Sequence, residues 1–264
     1  MHPIIKPLLN TLTLLGTLFI NYWANTGSIE GKTVGQVSQQ YDTLFTPADY
    51  AFAIWGFIYL WLLSFVGYQW YLWYKDKNHE TIHKTGVWFM VANIANGLWV
   101  IAWLHEYIGL SVIIMILLLG ALIQLVWRLN LERWDAPLLV ILFVWWPICW
   151  YIGWIILATV ANIAAYLTSI GWHGGPFSEA TWTIIMIMAA TFIYLTLIYT
   201  RNMREAALVG VWGLIAIAYK QWEFHPAIVY TALGAAGILL LSAGYHGYKN
   251  RATSPVVKWK KQEF

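Results

Sequence analysis

The stretch Leu110-Ser-Val-Ile-Ile-Met-Ile-Leu-Leu-Leu-Gly-Ala-Leu-Ile-Gln-Leu-Val-Trp-Arg128 decides the fold class. It holds no charge before its terminal arginine, and at about 1.5 Å of helical rise per residue it reaches about 28 Å. That length matches a hydrocarbon core of about 30 Å. Working outward from it, similar apolar runs lie at 7–24, 47–74, 87–104, 137–168, 180–200, 205–221 and 226–246. The chain therefore reads as an all-α, polytopic membrane helix bundle of about eight transmembrane helices. Composition agrees: 60% of the 264 residues are hydrophobic and 10% charged, against about 25% charged in a soluble domain. Mean hydropathy is +0.61.

Eight spans sort the cations. Lys6, Lys75, Lys77, Lys84, Arg128, Arg133, Arg201, Arg204, Lys249, Arg251, Lys258, Lys260 and Lys261 fall on the amino-terminal side. Only Lys32 and Lys220 fall on the other. The positive-inside rule then places both termini in the cytoplasm. A formal net charge of +3 concentrated in those loops gives no nucleic-acid signal; the bilayer is the expected partner. The basic tail 249–264 reads as a topology anchor. Cys149 is the only cysteine and lies inside the fifth run, which excludes an intramolecular disulfide.

Two connections are long. Residues 25–46 carry mixed polar sequence on the outer face, as a lid or binding loop would. Residues 169–179, with Gly171, Gly174, Gly175 and Pro176, mark a sharp stop. The domain reading is a five-helix core over 1–168 with its lid at 25–46, three further helices over 169–248, and the tail.

Nineteen tryptophans exceed what interfacial anchoring needs. Those near span ends, Trp103 among them, read as an aromatic belt. Trp55, Trp61, Trp99, Trp145, Trp146, Trp150, Trp154 and Trp212 lie deeper, where an indole N–H needs a partner that hydrocarbon lacks. Asn93, Asn96, Gln124 and Asn162 are the chief polar partners. Asn96 and Trp99 stand one turn apart; Trp154, Ala158 and Asn162 share one helix face. Trp55 lies roughly 12 Å below the outer start of its span, and Asn96 and Asn162 roughly 13 and 9 Å below the outer ends of theirs. These six residues (Trp55, Asn96, Trp99, Trp154, Ala158 and Asn162) are therefore expected to line an aromatic pocket beneath the outer loop.

The segment Phe45-Thr-Pro47-Ala-Asp-Tyr50-Ala-Phe52-Ala-Ile-Trp55-Gly-Phe-Ile-Tyr59 resembles the second-helix signature of the TspO/MBR family, the tryptophan-rich sensory and translocator proteins. Asn96-Gly-Leu-Trp99 is similar to its third-helix Asn-x-x-Trp. Trp154-x3-Ala158-x3-Asn162 is similar to its fifth-helix Trp-x3-Ala-x3-Asn, with Trp150 where the family usually has proline. The resemblance covers residues 1–168 and marks the chain as an extended member. It implies an integral membrane sensory or binding protein that holds a planar hydrophobic ligand, a porphyrin or haem or a sterol-like molecule, and requires no cofactor. On it, Pro47, Tyr50, Phe52, Tyr59 and Trp150 join the ligand-lining set, and homodimers form through lipid-facing helices.

Two other functions compete. A secondary transporter of a hydrophobic solute would use the extra spans, but the mid-spans lack the ionisable groups such proteins couple to. A tetrapyrrole-modifying membrane enzyme would use an interior tryptophan, but no nucleophile and no paired catalytic carboxylates stand out. His79-Glu80-Thr81-Ile82-His83 matches the HExxH zinc pattern, yet it sits in a short loop with Lys84 beside it and reads as a solvated helix end. His105, His173 and His225, on the outer side, read as interfacial histidines.

Overall fold

The computed structural model describes residues 4–75, 80–172 and 174–263. Lys77, His79 and His173 of the sequence reading lie outside them. Each of the eight apolar runs forms a helix: α1 (Ile5–Asn25), α3 (Ile54–Tyr74), α5 (Trp88–Leu104), α6 (Ile108–Arg128), α8 (Trp146–Ser169), α9 (Glu179–Arg201), α10 (Arg204–Gln221) and α11 (Pro226–Lys249). Short helices punctuate them: α2 (Val34–Gln40), α4 (Glu80–Thr85), α7 (Leu138–Val140) and α12 (Pro255–Lys261). Among the described residues there is no strand.

Five segments are long and apolar enough to cross a membrane: Asp49–Tyr74, Ile108–Arg128, Leu138–Ser169, Glu179–Arg201 and Pro226–Lys249. Their outward faces carry bare apolar side chains, including Leu60, Ile113, Phe192 and Leu241. Water would not tolerate such a surface, whereas lipid does. The chain is a multi-pass integral membrane protein.

The bundle has two ends, each tied by contacts between distant loops. At one end Lys6 Nζ lies 3.2 Å from His83 Nδ1, Arg128 Nε donates to Lys84 O at 2.9 Å, and Lys258 Nζ meets Asp135 Oδ1 at 2.6 Å. The carboxy-terminal tail folds back there: Lys258 is buried, and Glu263 O accepts from Leu138 N at 3.0 Å. At the other end Lys32 pairs with Glu106, and Lys220 Nζ donates to Asp42 Oδ1 at 2.5 Å. The two cations that the sequence sets apart from the other thirteen thus share an end.

The central element is α8, the most enclosed of the five, packed on α3, α6, α9 and α10. It begins through α7 and one π-helical turn, Ile141–Trp145. Pro147 has no N–H to give to Phe143, and a widened turn absorbs that lost bond. Glycines let α10 and α9 approach. A Cβ on Gly153 would stand 2.7 Å from Ala206 O, and one on Gly210 would stand 2.4 Å from the Tyr194 ring. Tyr194 OH donates to Gly153 O at 2.7 Å. On the other flank α1 docks through amides and hydroxyls. Asn10 Nδ2 donates to Gln69 Oε1 at 2.8 Å, and Thr17 Oγ1 to Asn93 O at 2.7 Å.

Candidate functional site

Beneath the 25–46 loop, α3, α5 and α8 bring indoles together. Pro47 fixes the chain entering a 3-10 turn, Asp49–Ala53, which aims Phe52 and Trp55 at α8. Phe52 and Trp55 meet the Trp154 ring edge-on, with centroids 6.0 and 6.4 Å away. Trp99 stacks on Trp103 at 5.6 Å, as their i, i+4 spacing on α5 allows. Trp99 Nε1 donates to Asn162 Oδ1 at 2.8 Å, and Asn162 Nδ2 donates to Ser111 Oγ at 2.9 Å. The Trp99 indole N–H and the Asn162 amide thus find the partners that hydrocarbon denies them. Ala158, Ala161 and Ala165 supply a flat wall along the same face of α8.

The lid is an ordered helix. Thr33 and Gln36 close a reciprocal cap at the start of α2, Gln36 N donating to Thr33 Oγ1 at 3.3 Å and Thr33 N to Gln36 Oε1 at 2.8 Å. Ile29, Val37 and Phe45 anchor the loop in the core. Glu106, in the α5–α6 turn, fastens the outer rim. It accepts from Lys32 Nζ, from Gln40 Nε2 at 2.6 Å and from Tyr41 OH at 2.8 Å. The Lys32 bond, then the Tyr41 bond, holds the Glu106 carboxyl below its ordinary pKa. Burial and the adjacent Glu106 push the Tyr41 phenol up. Trp103 Nε1 donates to Val34 O at 3.1 Å.

Of the eleven residues singled out from sequence, Pro47, Phe52, Trp55, Trp99, Trp154, Ala158 and Asn162 line this pocket. Four do not. Tyr50 is exposed and packs edge-on against Trp212 and Tyr219, because the 3-10 turn points it out toward α10. Tyr59 lies one turn below, stacked under Trp55 at 5.3 Å. Asn96 Nδ2 donates to Tyr151 OH at 3.0 Å and its Oδ1 accepts from Asn21 at 3.1 Å, so it ties α1, α5 and α8 together. Trp150 stacks on Phe57 at 6.2 Å, in a separate apolar hollow lined by Leu208 and Trp212. Trp103 and Tyr41 line the pocket though the sequence did not mark them. The i, i+4 spacing from Trp99 was the available signal for Trp103.

The pocket is closed down: its free volume is about 40 Å³, room for little more than one water. Sites that hold drug-sized ligands run to about 300–1,000 Å³. In the HExxH stretch, Glu80 is spent on Lys84 at 2.6 Å, and His83 faces Lys6. Among the described residues, no histidine belongs to a cluster of three potential metal ligands.

Searches of curated proteins and of solved structures matched nothing. A family model described as TSPO-like protein matches residues 7–245, running from α1 through α9 and α10 into α11. That match spans most of the chain, and the chain belongs to the TSPO-like protein family.

Proposed function

We propose that this chain is an integral membrane binding or sensory protein for a planar hydrophobic ligand, a porphyrin or related tetrapyrrole, with sterol-like molecules as the next class. In this reading the chain crosses the bilayer eight times with both termini in the cytoplasm, which the thirteen-to-two cation split in the sequence supports. On the resemblance alone, two copies pair through lipid-facing helices. The observation that carries the ligand reading is the convergence of Phe52, Trp55, Trp99, Trp103 and Trp154 around one amide, Asn162, beneath a lid. Aromatic walls give stacking area at small entropic cost, and a single amide fixes orientation.

A void of about 40 Å³ demands a further step. The lid lifts before the ligand enters, which breaks the bonds that Glu106 and Trp103 make to the 25–46 loop. Binding energy therefore goes partly into opening, and the apparent affinity is reduced by the open fraction. The test is titration of the purified protein with tetrapyrroles and sterols, read by tryptophan fluorescence. Saturable quenching by a porphyrin, weakened in Trp154→Leu, is the expected result. Absence of saturable quenching across the whole panel would overturn the reading.

A further inference from the structure

At the opposite end of α8 lies a second cavity, of about 390 Å³, with a polar lining. Three separate segments build it. The α6–α7 loop brings Glu132, the α9–α10 turn brings Asn202, Arg204 and Glu205, and α11 brings His246. Cys149 of α8 is buried behind that lining, and one ligand atom each from Glu132, Cys149 and Glu205 lie within 4.8 Å of one another.

The cluster is incomplete as it stands. Glu132 Oε1, Glu205 Oε2, Arg204 Nε and Trp146 Nε1 are all enclosed and have no hydrogen-bond partner. Glu205 is half-buried, with the Arg204 guanidinium and the Trp146 indole beside its carboxylate. Buried polar atoms are ordinarily satisfied, and of these four the two carboxylate oxygens, Glu132 Oε1 and Glu205 Oε2, are acceptors of the kind a cation takes. Their neighbours are already engaged: Asp135 with Lys258 at 2.6 Å, His246 Nδ1 with Asn202 Oδ1 at 2.6 Å, and Arg201 with Val126 O at 3.4 Å. The backbone is also bent to make the cluster. Glu132 holds a left-handed φ of 58°, a conformation that costs a residue with a side chain and that accompanies its inward-turned carboxylate.

We propose that Glu132, Cys149 and Glu205 bind a divalent transition-metal cation of the zinc class. Two carboxylates and one thiolate are a donor set such ions accept, with the fourth position left open to the cavity. Charge balances. Two carboxylates against the Arg204 guanidinium leave one negative charge; a dication, with the Cys149 thiol proton released to solvent, brings the cluster to neutrality. Tetrahedral coordination places donor atoms about 3.5 Å apart, so the side chains close by about 1 Å on binding.

Cobalt(II) tests this on the full-length protein, purified under reducing conditions and stripped with chelator. One equivalent per chain is expected, with a near-ultraviolet thiolate-to-cobalt charge-transfer band that zinc abolishes by displacement. Cys149 is the only cysteine, so that band reports this cluster and not the His83 loop. Cys149→Ser should remove the band, and Glu132→Gln and Glu205→Gln should each weaken cobalt binding at least about ten-fold. The two Gln variants are isosteric and carry the test even if the Ser variant fails to fold. A folded wild type that shows no thiolate band, or Gln variants that bind as tightly as wild type, would overturn the proposal; the carboxylates would then share a proton.

Discussion

The hollows at the two ends of α8 differ in what they have finished. At the outer one Trp99, Asn162 and Ser111 satisfy one another, the lid is bonded down, and the free volume is about 40 Å³. The inner one is nearly ten times larger and leaves four polar atoms without partners. A dry aromatic site can close upon itself when empty, because indoles fill one another's space. A charged site cannot, because its cost is desolvation and only water, a proton or a cation relieves it. The two ends should therefore answer the same kind of mutation in opposite ways.

The largest effect should come from the packing of α8 between them. A leucine at Gly153 would drive a side chain into Ala206, whose O and Cα already stand 2.7 and 2.9 Å from an added Cβ. Overpacking costs about 1–3 kcal/mol where neighbours can yield, and here the nearest atoms are backbone. Gly153→Leu should fail to give a monodisperse protein, or lower its melting temperature more than any variant below. Gly56→Leu, where nothing lies within 4 Å, is the control and should melt no lower than wild type. Equal losses from both would show that α8 and α10 are not packed as described.

Next comes the direct contrast. Asn162→Leu orphans the Trp99 indole N–H in a buried setting, which costs about 1–3 kcal/mol. Glu205→Gln in metal-free protein relieves the repulsion between two carboxylates held within 4.8 Å of each other, so thermal stability should hold or rise. Matching destabilisation at both ends would erase the distinction drawn here.

How much of this was legible in the sequence depends on which property a residue expresses. Trp154, Ala158 and Asn162 follow helical spacing, and spacing survives folding, so their shared face could be read directly. The eight apolar runs likewise became eight helices, with ends within a few residues of those expected except where a 3-10 turn opens the 47–74 run and a short helix and π turn open the 137–168 run. Trp103 was assigned to the interface because it sits near a span end. It is buried because a lid 69 residues away in sequence covers it, and distance along the chain hides such contacts. Tyr50 failed for the converse reason, since a 3-10 turn rotates it differently from the α-helix the motif suggests. Glu205 stood at the head of a span, where a solvated carboxylate is the usual finding. Its inward turn depends on rotation about the helix axis and on the α6–α7 loop folding beneath it.

A smaller effect tests the lid. Glu106→Ala removes the acceptor shared by Lys32, Gln40 and Tyr41, and Trp103→Phe removes one bond worth about 0.5–1.5 kcal/mol. Both should speed porphyrin quenching in stopped-flow, since each raises the open fraction. Glu205→Gln should leave that rate alone, being at the other end. Entry that is unchanged in both lid variants would mean that ligand arrives sideways from lipid.

The smallest effect is on pH. Lys32, first, and Tyr41 depress the Glu106 pKa below its ordinary value of 4.5. A depressed carboxyl stabilises the closed lid fully above that value and loses its contribution as pH falls through the lowered one. Accessibility of the pocket tryptophans to acrylamide should therefore stay flat from neutrality down to the ordinary value and rise only below it. Glu106→Gln, which keeps the shape but cannot titrate, should show no such acid step. An acid step that persists unchanged in Glu106→Gln would therefore exclude Glu106 as the group that holds the lid.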